Sequence, residues 1–124
     1  MSFDWFEYFT LAQELAGKSV QSNEDAKFRS AISRAYFSAY CIARNFLRDK
    51  EGHRIPGDSD AHGLVRDLFV KSHEGHRRQI GQNLERLRVS RNEADYDDVI
   101  TGLPSTVTVA LNLAKRVIST LSTL

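Results

Sequence analysis

Residues 31–47, AISRAYFSAYCIARNFL, constrain this chain more than any other stretch. Phe28, Ile32, Ala35, Ala39, Ile42 and Phe46 recur every three or four residues, which is the spacing of one α-helical face. Tyr36, Phe37, Tyr40, Ala43 and Leu47 carry apolar surface well beyond that face. A helix that is apolar on most sides has to sit in the middle of a fold, with other helices around it. Ala31, Ala35, Ala39 and Ala43 allow those neighbours to approach closely, and the aromatic rings between them fill the remaining space. The expected fold is therefore an all-α bundle built on a central helix over 23–48, with Ile32, Ala35, Ala39, Leu84, Leu87 and Leu111 buried together.

The remaining elements read as layers on that helix. Ser2 before Phe3 reads as the cap of a first helix over 3–16, with Asp4 and Glu7 in its opening turn, where acids suit the positive helix end. Trp5, Phe9, Ala12, Leu15 and Ala16 give it one apolar face, and Gly17 ends it. Ser22 with Asp25 reads as the start of the central helix. The stretch DKEGHRIPGDSD, residues 49–60, has no period and is the main loop. Asp60 reads as the cap of a third helix over 61–72, buried through Leu64, Val65, Leu68 and Phe69. Gly75 marks a turn, and a fourth helix over 77–95 carries Ile80, Leu84 and Leu87. The last, over 104–121, starts at Pro104, which suits a first helical turn. It faces inward through Val107, Leu111, Ala114, Val117, Ile118 and Leu121.

With 124 residues the whole chain, 1–124, reads as one domain. A net charge of +1 gives no overall pull towards nucleic acid or anionic membrane, so any basic function has to come from local clustering. The single Cys41 lies inside the central helix, where a thiol behaves as a small apolar residue rather than a nucleophile. The acidic, aromatic N-terminus does not read as a targeting segment, and no apolar run approaches the roughly 18 residues of a membrane span. The expectation is a cytoplasmic protein without membrane contact.

One position breaks the apolar rhythm. On the fourth helix the stripe steps 80, 84, 87, and the next place is Arg91. A buried guanidinium without partners is strongly unfavourable, so Arg91 must meet a carboxylate, a cleft or a second subunit. Asp95, one turn on, is the local candidate. Two readings follow: a structural Arg91–Asp95 pair that locks two helices, or an arginine presented to phosphate, for which its planar fork is suited. If a two-fold interface runs here, two Arg91 side chains flank one phosphate-sized cleft. Arg77, Arg78, Arg86 and Arg88 lie around it, either as a solvated face or as contacts to a polyanion. His73, Glu74 and His76 lack the spacing of a helical zinc pair, and no glycine-rich phosphate loop is present, so no metal and no cofactor are expected.

The segments SRAYFSAY (33–40), AHGLVRDLF (61–69) and RNEADYDD (91–98) together resemble the HEPN superfamily. The likeness is to a short prokaryotic branch with an Arg-x-x-Ala-Asp-Tyr signature, carried here by Arg91, Ala94, Asp95 and Tyr96. The resemblance implies an antiparallel bundle of four to five helices, commonly a homodimer. It also implies a two-gene, toxin–antitoxin-like system with a nucleotidyltransferase, in which several members are metal-independent RNases. Carried over by position, Arg91, Asp95, Tyr96 and His62 are the candidate catalytic residues, and Asn92, Arg88 and Arg34 the candidate binding residues for RNA or nucleotide. The RNase pattern has a histidine four to six residues after its arginine. This chain has none there, since its four histidines all precede Arg91. Taking a 2′-hydroxyl proton near neutral pH suits an imidazole far better than a carboxylate or phenol. His62 fills that role only if the third helix passes beside Arg91. The reading is thus an RNase-like toxin component, or alternatively a non-catalytic nucleic-acid- or nucleotide-binding or dimerisation partner of a nucleotidyltransferase.

Overall fold

The computed structural model describes residues 2–17 and 24–124. Helix α1 spans Phe6–Ala16, α2 Glu24–Asn45, α3 Asp60–Val70, α4 Gly75–Tyr96 and α5 Leu103–Ser122. Among the described residues every regular element is helical, and no helix is long and apolar enough to cross a membrane. Helix α2 is the hub, packed against α1, α4 and α5, while α3 rests chiefly on α4. Ala31, Ile32, Ala35, Ala39 and Ala43 are fully buried, and Tyr36 is 2% exposed. Single methyl groups at four of these positions bring the neighbouring helices close, as their spacing predicts. Leu84 and Leu87 of α4 join the same core, and so do Val107, Ala114 and Val117 of α5.

The ends of the elements depart from the sequence reading for local reasons. Helix α1 starts at Phe6, and its orphan amide is met by Asp4, whose Oδ1 accepts the Phe6 N–H at 3.0 Å; Ser2 lies outside the helix. The same device opens α3, where Asp58 Oδ1 accepts the Asp60 N–H at 3.0 Å. Asp60 is therefore the capped residue and not the cap. The expected start at Ser22 lies outside the described residues. At its far end α2 runs on as a π-helical turn, Phe46–Lys50, closed by the His53 N–H donating to the Leu47 carbonyl at 3.0 Å. That turn keeps Leu47 in the core while Phe46 reaches Phe69 of α3, with ring centroids 6.4 Å apart. In α5 the inward stripe is Leu103, Val107, Ala110, Ala114, Val117 and Leu121, which leaves Leu111 half-buried on its shoulder. Gly102, with φ of 70°, makes the turn before that helix.

Helices α3 and α4 touch through a glycine. A Cβ built on Gly81 would lie 2.7 Å from the Val70 backbone nitrogen and 3.0 Å from the Arg66 carbonyl oxygen, so it would meet backbone that cannot turn aside. Gly81→Ala would raise helix propensity yet force the two helices apart. It should destabilise the fold by about 1–3 kcal/mol, the usual effect of overpacking. A urea-unfolding midpoint equal to or above the wild-type value would contradict that contact.

Candidate functional site

Four polar side chains of α2 point at other helices, and each meets a partner there. Arg29 reaches the end of α4, donating from Nη1 to the carbonyls of Ala94 at 3.0 Å and Asp97 at 2.6 Å, and from Nη2 to that of Asp98 at 3.2 Å. A guanidinium thus satisfies carbonyls that a helix C-terminus leaves unpaired, and it fixes the segment RNEADYDD against α2. Ser33, 6% exposed, donates to Asp95 Oδ2 at 3.4 Å. The Tyr36 hydroxyl meets His62 Nδ1. The fully buried Ser38 donates to the Trp5 carbonyl at 3.0 Å, pinning the start of α1.

Arg91 stands where the apolar stripe of α4 meets this polar seam. Its side chain is 23% exposed, and Nε lies 2.9 Å from Asp95 Oδ2. Nε is itself buried without an aligned acceptor, so the contact is an ion pair held by charge rather than by a directed hydrogen bond. Nη1 donates to Asn92 Oδ1 at 3.0 Å, and Nη2 has no protein acceptor among the described residues. The guanidinium lies 5.0 Å over the Phe37 ring and 5.9 Å over that of Tyr96. An i,i+4 ion pair contributes only about 0.3–0.5 kcal/mol, which is too little to lock a bundle. The pair orients Arg91 instead. Arg34 arrives at the same ring from α2, its guanidinium 5.3 Å over Phe37 and 4.7 Å over Tyr8. Its Nη2 donates to Ser33 Oγ at 3.4 Å, which completes a chain from Arg34 through Ser33 and Asp95 to Arg91.

His62 enters the same cluster from α3. Its ring stacks on Tyr40 at 4.0 Å and meets Phe37 edge-on at 6.1 Å. Burial holds its pKa below the ordinary imidazole value, helped by the positive charges of Arg88, Arg91 and Arg44. Burial also raises the Tyr36 phenol, which stays protonated. Every residue expected at the site from sequence is therefore on or beside one cluster: Arg91, Asn92, Asp95 and Tyr96 on α4, Arg34 on α2, and His62 on α3. Arg88 sits at its edge, 3.9 Å from Glu85. Much of the basic run is engaged elsewhere. Arg77 pairs with Glu51 at 2.5 Å, and Arg78 donates to the Ser72 and His73 carbonyls. Glu85 takes Arg66 as well, at 2.7 Å. It does not form a free cationic face.

A cleft of about 490 Å³ opens beside the cluster, with Phe37 and His62 in its wall. Trp5 and Tyr8 of the N-terminal segment, with Tyr40 and Arg44 of α2, line it as well. Sequence periodicity placed these four on helices but gave no sign that they meet, because the meeting depends on how α1 crosses α2. Cys41 also lines the cleft, yet it is 3% exposed and burial raises its pKa, so it is not a thiolate nucleophile.

The neutral imidazole has a measurable consequence. Because the folded-state pKa of His62 lies below the unfolded value of about 6.5, the unfolded chain takes up this proton first as pH falls. Stability from the neutral ring is complete above about pH 6.5 and is lost as pH falls through the folded-state pKa. His62→Asn should remove that part of the acid slope in urea unfolding. Equal slopes for variant and wild type would contradict it.

Compared with known proteins, residues 8–124 match the family model described as HEPN domain. No curated protein and no solved structure matches the chain.

Proposed function

The chain belongs to the HEPN domain family, and on that footing we propose that it is a non-catalytic nucleic-acid- or nucleotide-binding module working with a nucleotidyltransferase partner. One observation carries this reading. Arg34 and Arg91 converge on the Phe37 ring, and each keeps guanidinium N–H groups without a protein acceptor among the described residues. A phosphate supplies what those donors lack, and the planar guanidiniums themselves are surfaces on which a base can stack. The proton chemistry of cleavage is less well served. Asp95 is engaged by both Arg91 and Ser33. Tyr36 is almost fully buried, and its hydroxyl shares a hydrogen bond with His62 Nδ1. Leaving a buried O–H unpaired costs about 1–3 kcal/mol, so the phenol donates and Nε2 carries the imidazole proton. In that tautomer His62 offers a hydrogen-bond donor rather than a base.

The RNase-like toxin reading keeps one specific observation, a neutral imidazole within the field of Arg91. It requires the other tautomer, with Nδ1–H donating to the Tyr36 oxygen. Nε2 of His62 then takes the 2′-hydroxyl proton while the 2′ oxygen bonds to phosphorus. Arg91 stabilises the phosphorane, and the P–O5′ bond breaks as the Tyr96 hydroxyl gives its proton to the leaving oxygen. The products are a 2′,3′-cyclic phosphate and a 5′-hydroxyl.

Both readings accommodate a homodimer paired along the outer face of α4, where Val89 is 50% and Tyr96 73% exposed beside Asn92. A monomer mass by light scattering would exclude that pairing. The functional test incubates mixed single-stranded RNA with wild-type and Arg91→Ala protein in EDTA and follows retention and cleavage. The expected result is intact RNA, retained by wild type and at least about tenfold less by the variant. With two phosphates engaged, the salt slope of binding to single strands should be about −1.4. Cleavage by wild type, reduced about 100-fold or more in Arg91→Ala, would instead establish the RNase reading. Intact RNA retained by neither protein would refute direct RNA binding.

A further inference from the structure

The cleft beside the cluster holds two guanidiniums that the site described above does not use together. Arg34 lies over Tyr8 and Phe37, and Arg44 lies 5.4 Å over Trp5 and 6.0 Å over Tyr40. Each cation is thus set against two rings on one wall of the same space. Neither has a carboxylate within ion-pair distance among the described residues, in contrast to Arg48, Arg66, Arg77, Arg88 and Arg91. Arg44 uses only Nε, donating to Asn45 Oδ1 at 3.1 Å, and Arg34 only Nη2. Both Nη groups of Arg44, with Nε and Nη1 of Arg34, have no protein acceptor among the described residues. The cleft's acidic residue, Asp58, has Oδ1 taken by the Asp60 N–H at the entrance of α3.

We propose that this cleft is a binding pocket for a nucleobase together with its own phosphate, the phosphate received by Arg34 and Arg44 and the base stacked beside Trp5, since Tyr40 is buried against His62. The choice of a nucleotide over another aromatic anion rests on the nucleic-acid reading given above. Two uncompensated guanidiniums call for a doubly coordinated anion, and oxygen-rich phosphate matches their forks. The rings and the flat guanidinium faces call for a planar partner, since bases stack on both. The volume of about 490 Å³ falls within the roughly 300–1,000 Å³ usual for small-molecule sites. Arg34 also joins the pocket to the Arg91 cluster through Phe37, so a strand entering the cleft would lay its next phosphate towards Arg91. The same chemistry is offered by a free nucleoside monophosphate or by one unit of an RNA strand.

Trp5 is the single tryptophan of the chain and lines the cleft, so its fluorescence reports occupancy directly. Full-length protein is titrated with adenosine 5′-monophosphate, adenosine, inorganic phosphate, and a 2′-O-methyl oligoadenylate that cannot be cleaved. The monophosphate should quench Trp5 and bind at least about tenfold tighter than adenosine or phosphate alone. In Arg44→Gln that advantage should vanish. An oligoadenylate that binds more tightly than the monophosphate identifies RNA as the source, and the reverse order identifies a free nucleotide. Equal binding of monophosphate and adenosine would overturn the proposal, as would an Arg44→Gln protein that binds like wild type, or no quenching by either nucleotide ligand. If circular dichroism shows Arg44→Gln unfolded, the wild-type comparison of monophosphate with adenosine decides alone. Quenching that persists while Arg91→Ala leaves RNA retention unchanged removes the Arg91 reading and keeps the pocket. RNA retention sensitive to Arg91 without any Trp5 response removes the pocket and keeps that reading.

Discussion

A helix buried on nearly every side has no free face for polar groups, so whatever polar side chains it carries must be answered by its neighbours. Helix α2 is such a helix, and its answers organise the molecule. Arg29 holds the end of α4, Ser33 meets Asp95, Tyr36 meets His62, and Ser38 holds the start of α1. Removing one partner of a buried polar pair costs more than forming the pair contributes, which makes these contacts strong determinants of where α1, α3 and α4 sit. The alanine stripe on the same helix makes the close approach possible. The polar seam decides its register.

The candidate site follows from that seam rather than from any one motif. The acidic and aromatic ends of α4 reach Arg34 because Ser33, one residue earlier on α2, binds the carboxylate that also orients Arg91. His62 reaches the cluster because Tyr36 sits on the neighbouring turn. Phe37 lies between them, with two guanidiniums over its ring and an imidazole at its edge. Charges placed on aromatic faces keep their N–H groups turned to solvent or ligand, since each stack contributes about 0.5–1 kcal/mol without using a hydrogen bond. Such an arrangement fits recognition of phosphate and base better than it fits a rigid structural lock.

Much of the fold was legible in the sequence, because a 3.6-residue apolar period is a local property and five stretches carry it. The helix ends were less so. Asp4 and Asp58 each meet an amide two residues on, so the acids that open α1 and α3 stand apart from the capping residues that composition suggested. Leu111 was expected in the core, but Ala110 and Leu113 on either side face it more fully. At the site, Arg91 with Asp95 was legible as an i,i+4 pair on one helix. That His62 stands in the field of Arg91, and that Trp5, Tyr8, Tyr40 and Arg44 share a cleft, depends on how α1 and α3 cross α2. No local pattern in a single sequence encodes those crossings.

The Tyr36–His62 contact joins the core helix to the candidate site, and the imidazole tautomer it selects separates binding from catalysis. Nitrogen-15 NMR of the His62 ring across pH reads it directly. The predicted result is a ring protonated on Nε2 with Nδ1 accepting from Tyr36, titrating below the ordinary value of about 6.5 because it is buried and lies near Arg88, Arg91 and Arg44. A ring protonated on Nδ1, or one titrating at the ordinary value, would contradict that arrangement.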